Sequence, residues 1–508
     1  MPVLPPRSSD LALIAARYGL GLSDDRIAAF AGHVEELLDS WEVVEKLWAD
    51  TSVGPPARAW WRPQHNPLGG WNVNCELQTD DDGPLAGRTV AIKDNIAVAG
   101  IPMMNGSALV EGYVPERDAT VVARLLAAGA TITGTAVCED LCFSGASHTS
   151  ASGPVRNPWD TTRTAGGSSS GSAALVSSGA VDLAIGGDQG GSVRLPAAFT
   201  GIVGHKPTHG LVPYTGAFPI EQTLDHLGPM TRTVADAALV LGVIAGSDGM
   251  DPRQRGDAAA PDFVAELDRS VRSLRVGVVR EGFGHPESVA GVDDAVRAAA
   301  EGLRAAGLVC DEVSIPWHRN GKKIWDVISV EGGTAQMVEG SAYGMNWQGR
   351  YDPALIAHYG ARWRADGTAF PDTVKLVLLA GRHTIDRHHG AHYAMARNLV
   401  PRLRAAYDAA LDQFDVLVMP TTPILASPIP GPDAPLDEYL ARALEMMANT
   451  ASFDVTGHPA CSVPAAVVDG LPAGMMIVGR HFDDATVLRV AHAYERAVGG
   501  FPTPLVRA

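Results

Sequence analysis

Two serine clusters bounded by glycine, AGGSSSGSAAL (165–175) and GGDQGGSVRL (186–195), lie close together in the chain. Turn chemistry alone accounts for either cluster, because Gly and Ser suit tight connections. The pair also suits a catalytic site with more than one serine. A serine attacks a carbonyl only with a base to activate it, an acid for the leaving group and donors for the oxyanion. Gly190 and Gly191, directly before Ser192, have no side chains, so backbone N–H groups there can approach a carbonyl oxygen closely. Other chemistries have weaker support. In RHHGAHY, His388 and His392 stand at i, i+4 on a possible helix, but the HExxH glutamate is missing and no third ligand is apparent, so a metal-dependent hydrolase is the lesser reading. A phosphate-binding module would use the same Gly/Ser loops at helix starts, yet no GxxxxGK[ST] occurs.

The elements around these loops alternate strand and helix. RTVAIKDNI (88–96) reads as a short buried strand, DATVVARLLAAG (118–129) as a helix with Val121, Val122, Leu125 and Leu126 on one face, and TITGTAV as the next strand. The pattern returns at LRVGVV (274–279), the DDAVRAAAEGLRAAG helix, LVCDEVSI, and FDVLVMP (414–420). GMMIVGRHFDDATVLRVAHAYERA (474–497) closes as strand, Asp-capped turn and amphipathic helix. Such alternation predicts an α/β fold, a single large mixed sheet covered by helices on both faces. Residues 1–70 predict an all-helical extension, with Ser23 as an N-cap, followed by a Pro/Gly-rich connector. Residues 71–309 form the first part of the core, 310–410 an inserted small domain carrying Trp317, Trp325, Trp347 and Trp363, and 411–508 the rest of the core.

Length and composition narrow the function. The 508 residues exceed the ~250–300 usual for one hydrophobic core, so one large core with additions is expected. With 46% hydrophobic and 19% charged residues the chain is an ordinary globular protein. A net charge of −17, spread without an acidic tail, repels a phosphate backbone and argues against nucleic acid as partner. The start lacks a basic segment leading into an apolar h-region, and no stretch offers the ~18 apolar residues of a membrane span, so a cytoplasmic protein without membrane contact is expected. Five scattered cysteines, Cys75, Cys138, Cys142, Cys310 and Cys461, give neither a disulfide framework nor CxxC zinc spacing and read as buried thiols.

From residue 90 on, VAIKDNIAVAGIPMMNGS, SGPVRNPWD, AGGSSSGSAAL and GGDQGGSVRLPAAFTG come in the order found in the amidase signature hydrolases, and GLVPYTGAFPI (210–220) and FDVTGHPA (453–460) extend the match. Over roughly residues 70–500 the chain resembles that family, closest to the enantioselective amidases of nitrile-degrading bacteria. The resemblance implies Lys93 as catalytic lysine, Ser168 as bridging serine held by a cis peptide bond, and Ser192 as nucleophile, the two serines 24 positions apart as in the family. It also implies an oxyanion hole at the backbone of Gln189, Gly190, Gly191 and Ser192, with Asp188 as structural support. Ser170 stands where the family usually has glycine, which would strain the loop if φ is positive there.

The implied activity is hydrolysis of linear carboxylic acid amides to carboxylate and ammonia through an acyl-serine, with no metal or organic cofactor. Ser168 passes a proton from Ser192 to an uncharged Lys93, a state that burial favours by penalising the ammonium. Asp94 should point to the opposite face of the strand, away from Lys93. Phe143, Phe218, Trp325 and Met447 are the pocket candidates by resemblance, favouring aromatic or medium aliphatic amides; the same residue types also fill ordinary cores. Urethane, ester or anilide cleavage by the same route remains an alternative. So does the amidotransferase subunit that supplies ammonia to charged transfer RNA, although the N-terminal helices and acidic balance suit a free-standing hydrolase better. The family also implies a homodimer made through those helices.

Overall fold

Short β-branched or small-residue runs, each ended by glycine, proline or a turn, become the strands of one sheet in the computed structural model, which describes residues 4–52, 54–79, 82–254, 261–342 and 349–504. In chain order they are β1 (Trp60–Trp61), β2 (Trp71–Leu77), β3 (Thr89–Lys93), β4 (Thr131–Ala136), β5 (Leu183–Asp188), β6 (Val203–Lys206), β7 (His226–Thr231), β8 (Arg275–Val279), β9 (Val309–Val313), β10 (Val416–Pro420), β11 (Ala460–Val468) and β12 (Leu471–Val478). Their order across the sheet is β1-β2-β4-β3-β5-β7-β6-β11-β12-β10-β8-β9. β3 runs parallel to β4 and β5, and β8 parallel to β9 and β10, while β7, β6, β11 and β12 join the two parallel groups by antiparallel pairing. The sheet is therefore mixed, as expected.

Alternation along the central strands sets their two faces. Val90, Ile92, Leu183 and Ile185 enter the main core, whereas Ala91, Ala136 and Ala184 meet Ala173 and Val176 of the helix Ser170–Ser178 on the other side. Alanine on this face lets the helix come close, and all nine of its residues are buried. Lys93 shares the face of Ala91, which aims it toward the serine loop that opens this helix. Ser170 begins the helix and is not among the residues with positive φ, so the glycine-to-serine departure carries no backbone strain.

The chain divides into two compact units, Met1–Pro55 and Pro56–Ala508. The first consists of the helices Ser8–Arg17 and Asp24–Ala49, the latter capped by Ser23, whose Oγ accepts the Arg26 N–H at 3.4 Å. In the second, residues 310–410 supply the helices His318–Gly332, Pro353–Ala365, Asp372–His388 and most of Ala391–Leu411; Trp347 lies outside the described residues. Asp483 stands before the last helix, Asp484–Ala497, but its side chain makes no capping hydrogen bond, contrary to the expected Asp-capped turn. No helix among the described residues is long and apolar enough to cross a membrane.

Candidate active site

Lys93 ends β3 and Asp188 ends β5, two neighbouring parallel strands, so the site sits at the carboxyl ends of the strands, where open α/β sheets commonly bind ligands. Lys93 is fully buried. Its Nζ donates to Ser168 Oγ at 2.8 Å and to the Gly187 carbonyl at 3.3 Å. Ser168 follows a cis peptide bond from Gly167. Its loop is held by Gly167 N–H to Gly145 O at 2.8 Å and Glu139 N–H to Ser168 O at 3.1 Å. Asp94 turns away, as alternation predicts, and its Oδ2 accepts the N–H groups of Met104 and Asn105 at 3.0 and 2.9 Å.

Ser192 lies at the turn into the helix Arg194–Thr200, and its carbonyl accepts the Ser169 N–H at 3.3 Å, which joins the two serine loops. Ser192 lines a cleft of about 390 Å³. The peptides before it are oriented by their carbonyls. Gln189 O accepts the Trp325 indole N–H at 2.6 Å, and Gly190 O accepts the Thr450 hydroxyl at 2.6 Å. A trans peptide then turns the next N–H the opposite way. The N–H of Gly191 is thereby delivered to Asp188 Oδ1 at 2.6 Å. The Gly191 N–H is thus already engaged, which leaves the N–H groups of Gln189, Gly190 and Ser192 as the candidates for an oxyanion hole. Glycine is required at both positions. A Cβ on Gly190 would come within 2.7 Å of the Trp325 ring, and one on Gly191, at φ +133°, would collide with the Thr450 hydroxyl.

Asp188 is the hub of this turn. It also accepts Val193 N–H at 3.0 Å and both Nε (3.0 Å) and Nη2 (3.0 Å) of Arg194. Burial opposes its charge, but the Arg194 guanidinium and its hydrogen bonds outweigh that and hold Asp188 well below the usual carboxylate range. Arg194 also donates to Thr450 O at 3.0 Å and Asp454 Oδ2 at 2.7 Å. Burial, and then the nearby Asp188 charge, push Asp454 upward. The two carboxylates beside Arg194 are thus shifted in opposite directions. Arg194 and Asp454 lie inside the family motifs, yet the sequence assigns neither a role. The available signal is a lone arginine in an otherwise apolar run, SVRLPAAF.

Phe143, Trp325 and Met447 line the cleft with Ile220, Leu224 and Leu444, and the Phe143 and Trp325 ring centres are 6.4 Å apart. Phe218 does not join this wall. It lines a second cavity with Tyr214, Asp225 and Arg253, because residues 214–225 form a partition: Ile220 and Leu224 face the cleft, while Phe218, Gln222 and Asp225 face away. Tyr214 couples the two sides, accepting from Gln189 Nε2 at 3.0 Å and donating to Phe218 O at 3.0 Å.

Within the partition the buried Asp225 carboxylate accepts Ile220 N–H at 3.2 Å. Burial raises its pKa to about 8 against the opposing charge of Arg253. An unfolded aspartate titrates near ~3.9, so between those values the unfolded chain has released a proton that the fold retains, and stability falls as pH rises. Asp225→Asn removes this titration. Its melting temperature should exceed that of the wild type by more at pH 8 than at pH 5, a difference of about 2 °C or more in paired thermal melts.

The metal reading of the sequence meets the structure directly. His388 and His392 are not on one helix, because His389 (φ +58°) and Gly390 (φ +80°) break the backbone between them, although their ring centres are 4.6 Å apart. Among the described residues one other group, Asp408, His458 and His481, gathers ligand-type atoms within 4.8 Å. Protein partners already occupy it. His458 spans Thr456 Oγ1 (2.9 Å) and Asp408 Oδ1 (3.0 Å), and His481 Nε2 bonds Thr456 O at 2.9 Å.

The chain belongs to the amidase family, whose family model, described as Amidase, matches residues 72–488, a span containing Lys93, both serine loops and the walls of the cleft. Among individual proteins it is 54% identical over 506 residues to an "Enantioselective amidase" of Rhodococcus rhodochrous, covering 98% of this chain and 97% of that one. Among solved structures it is similar to a bacterial aryl acylamidase of the amidase signature family at a TM-score of 0.70 and 26% identity, over 82% of this chain and 84% of that one. The native peptide amidase of Stenotrophomonas maltophilia matches at a TM-score of 0.69 and 32% identity, over 84% and 85% of the two chains.

Proposed function

We propose that this amidase converts R–CO–NH2 and water to a carboxylate and ammonia through an ester on Ser192. The observation that carries the reading is the fully buried Lys93 Nζ 2.8 Å from Ser168 Oγ, on a loop hydrogen-bonded to the Ser192 loop. In acylation Ser192 Oγ bonds to the carbonyl carbon while its proton passes to Ser168, and the Ser168 proton passes to Lys93. The same path in reverse protonates the departing nitrogen, and the C–N bond breaks. Water then repeats the cycle on the ester. Backbone N–H groups of Gln189, Gly190 and Ser192 would hold the oxyanion, which such preorganised donors stabilise by about 3–4 kcal/mol each. No metal or organic cofactor takes part.

The apolar cleft of Phe143, Trp325 and Met447 suits an aromatic or medium aliphatic acyl group. Carboxamides are the products of nitrile hydration, and the proposed hydrolysis has its place after that reaction. Five buried free thiols support a reducing, cytoplasmic setting. The test is intact-mass detection of a substrate-derived adduct on Ser192 during turnover of benzamide, with acetamide, an anilide, an ester and a carbamate as comparisons. Lack of any adduct on Ser192 under conditions of rapid quench would remove the acyl-serine.

We also infer a homodimer made through the first compact unit. Along the helix Asp24–Ala49, Leu37, Trp41, Val44 and Trp48 recur at steps of four, three and four, and all are exposed, the two indoles by 49% and 46%. This spacing forms one apolar stripe that a second copy of the same helix would cover. The double substitution Trp41→Glu/Trp48→Glu should convert the protein to a monomer by analytical ultracentrifugation, weakening association about 100-fold or more. An unchanged dimer would place the contact elsewhere.

A further inference from the structure

The cavity on the far side of the partition from Ser192 has a volume of about 850 Å³, about twice that of the cleft and within the range of small-molecule sites. The two spaces share no lining residue. Apolar side chains make up much of the second one, with Met103, Phe218, Ala342 and Leu355 among its walls beside Tyr113. Its charged residues fall into two sets. The acids are already engaged. Asp251 accepts Arg253 Nε at 2.8 Å through one oxygen and the Tyr214 N–H at 2.8 Å through the other. Asp352 accepts the Leu355 N–H at 3.0 Å and the Tyr113 hydroxyl. Asp225 accepts the Ile220 N–H as described above, and Arg253 is spent on Asp251 and on the Gln222 and Asp225 carbonyls, at 3.3 and 2.8 Å.

Arg117 and Arg350 form the other set. Both line the cavity, and among the described residues neither makes a hydrogen bond or an ion pair. Arg117 is exposed and Arg350 half-buried; burial, and then the nearby Arg117 charge, hold Arg350 below the usual guanidinium range. A guanidinium keeps its charge in a protein and offers five N–H donors and no acceptor. Its partner must therefore be an acceptor, and an anion at this place would also relieve the repulsion between the two cations. Carboxylate oxygens match the guanidinium fork in pairs. The apolar walls beyond the arginines call for an anion with an apolar body.

We propose that this cavity is a second binding site, in which Arg117 and Arg350 take the carboxylate of an aromatic or medium aliphatic acid while Met103, Phe218 and Leu355 take its body. That such an acid is also the enzyme's product rests on the hydrolysis proposed above; the binding itself does not. Because the cavity and the cleft have no wall residue in common, an acid can occupy the one while an amide occupies the other. Phe218 thus has a place in ligand binding, on the opposite side of the partition from the nucleophile.

The test is calorimetric titration of the full-length protein with benzoate, for the wild type and for Arg117→Met/Arg350→Met. Neither arginine lines the cleft, so the double variant should keep the wild-type kcat and KM for benzamide and the wild-type melting temperature. Wild type should bind one benzoate that the variant binds about tenfold more weakly or not at all, the scale of one lost charge-assisted hydrogen bond. Competitive inhibition of benzamide turnover by benzoate, which reports the cleft, should be the same in both. Arg350→Lys, which keeps the charge and loses the fork, should bind benzoate with intermediate affinity. Identical titrations of wild type and double variant overturn the site. Displacement of this benzoate by an equal concentration of inorganic phosphate overturns the apolar-bodied carboxylate as its ligand. Failure of the wild type to release benzoate from benzamide overturns the hydrolysis instead, and the titration still decides the cavity.

Discussion

Ser192→Ala is expected to lower kcat for a carboxamide by about four to six orders of magnitude, since loss of the nucleophile leaves only binding and oxyanion stabilisation. The fold gives little reason for any other effect. The Ser192 contact that joins the serine loops is made by its carbonyl, not its hydroxyl, and the turn is held by Asp188 and Arg194. Substrate should therefore still bind in the cleft, and equilibrium binding of benzamide should change by less than about threefold. Steady-state ammonia release and calorimetric binding check the two parts. Turnover near the wild-type rate would exclude Ser192 as nucleophile.

Lys93→Ala should cost about three to four orders of magnitude in kcat/KM, the range for losing a positioned base that later serves as acid. The more telling substitution is Lys93→Arg. It supplies a permanent cation, since guanidinium is not deprotonated in proteins and cannot take a proton from Ser168. It should be as inactive as the alanine variant if proton transfer is the role, and partly active if the role is a fixed positive charge. Thermal melts must accompany both, because Lys93 also donates to the Gly187 carbonyl.

The residues proposed to do chemistry are legible in the sequence, and their surroundings less so. Lys93, Ser168 and Ser192 sit in motifs whose order identifies the family, and period-two alternation along VAIK correctly turns Asp94 away from Lys93. Strands with branched apolar runs, such as β8 and β10, are equally plain. β7 is not: HLGPMT contains glycine and proline, and it forms a strand only because β5 and β6 pair with it. The misplacement of Phe218 has a similar cause. Ile220 and Phe218 look alike in sequence, and only the path of the partition decides which faces the cleft. Likewise, nothing in GGDQGGS reveals that the Gly191 N–H is spent on Asp188, since that depends on Trp325 and Thr450, far along the chain.

Distant anchors of this kind bear on how the enzyme is born. The turn that presents Ser192 is pinned by Thr450 and Asp454, which leave the ribosome some 260 residues after it. A nascent polypeptide can thus expose its serine loops for much of synthesis without a competent hydrolase existing. A chain that stops before Thr450 lacks the anchors that hold this turn.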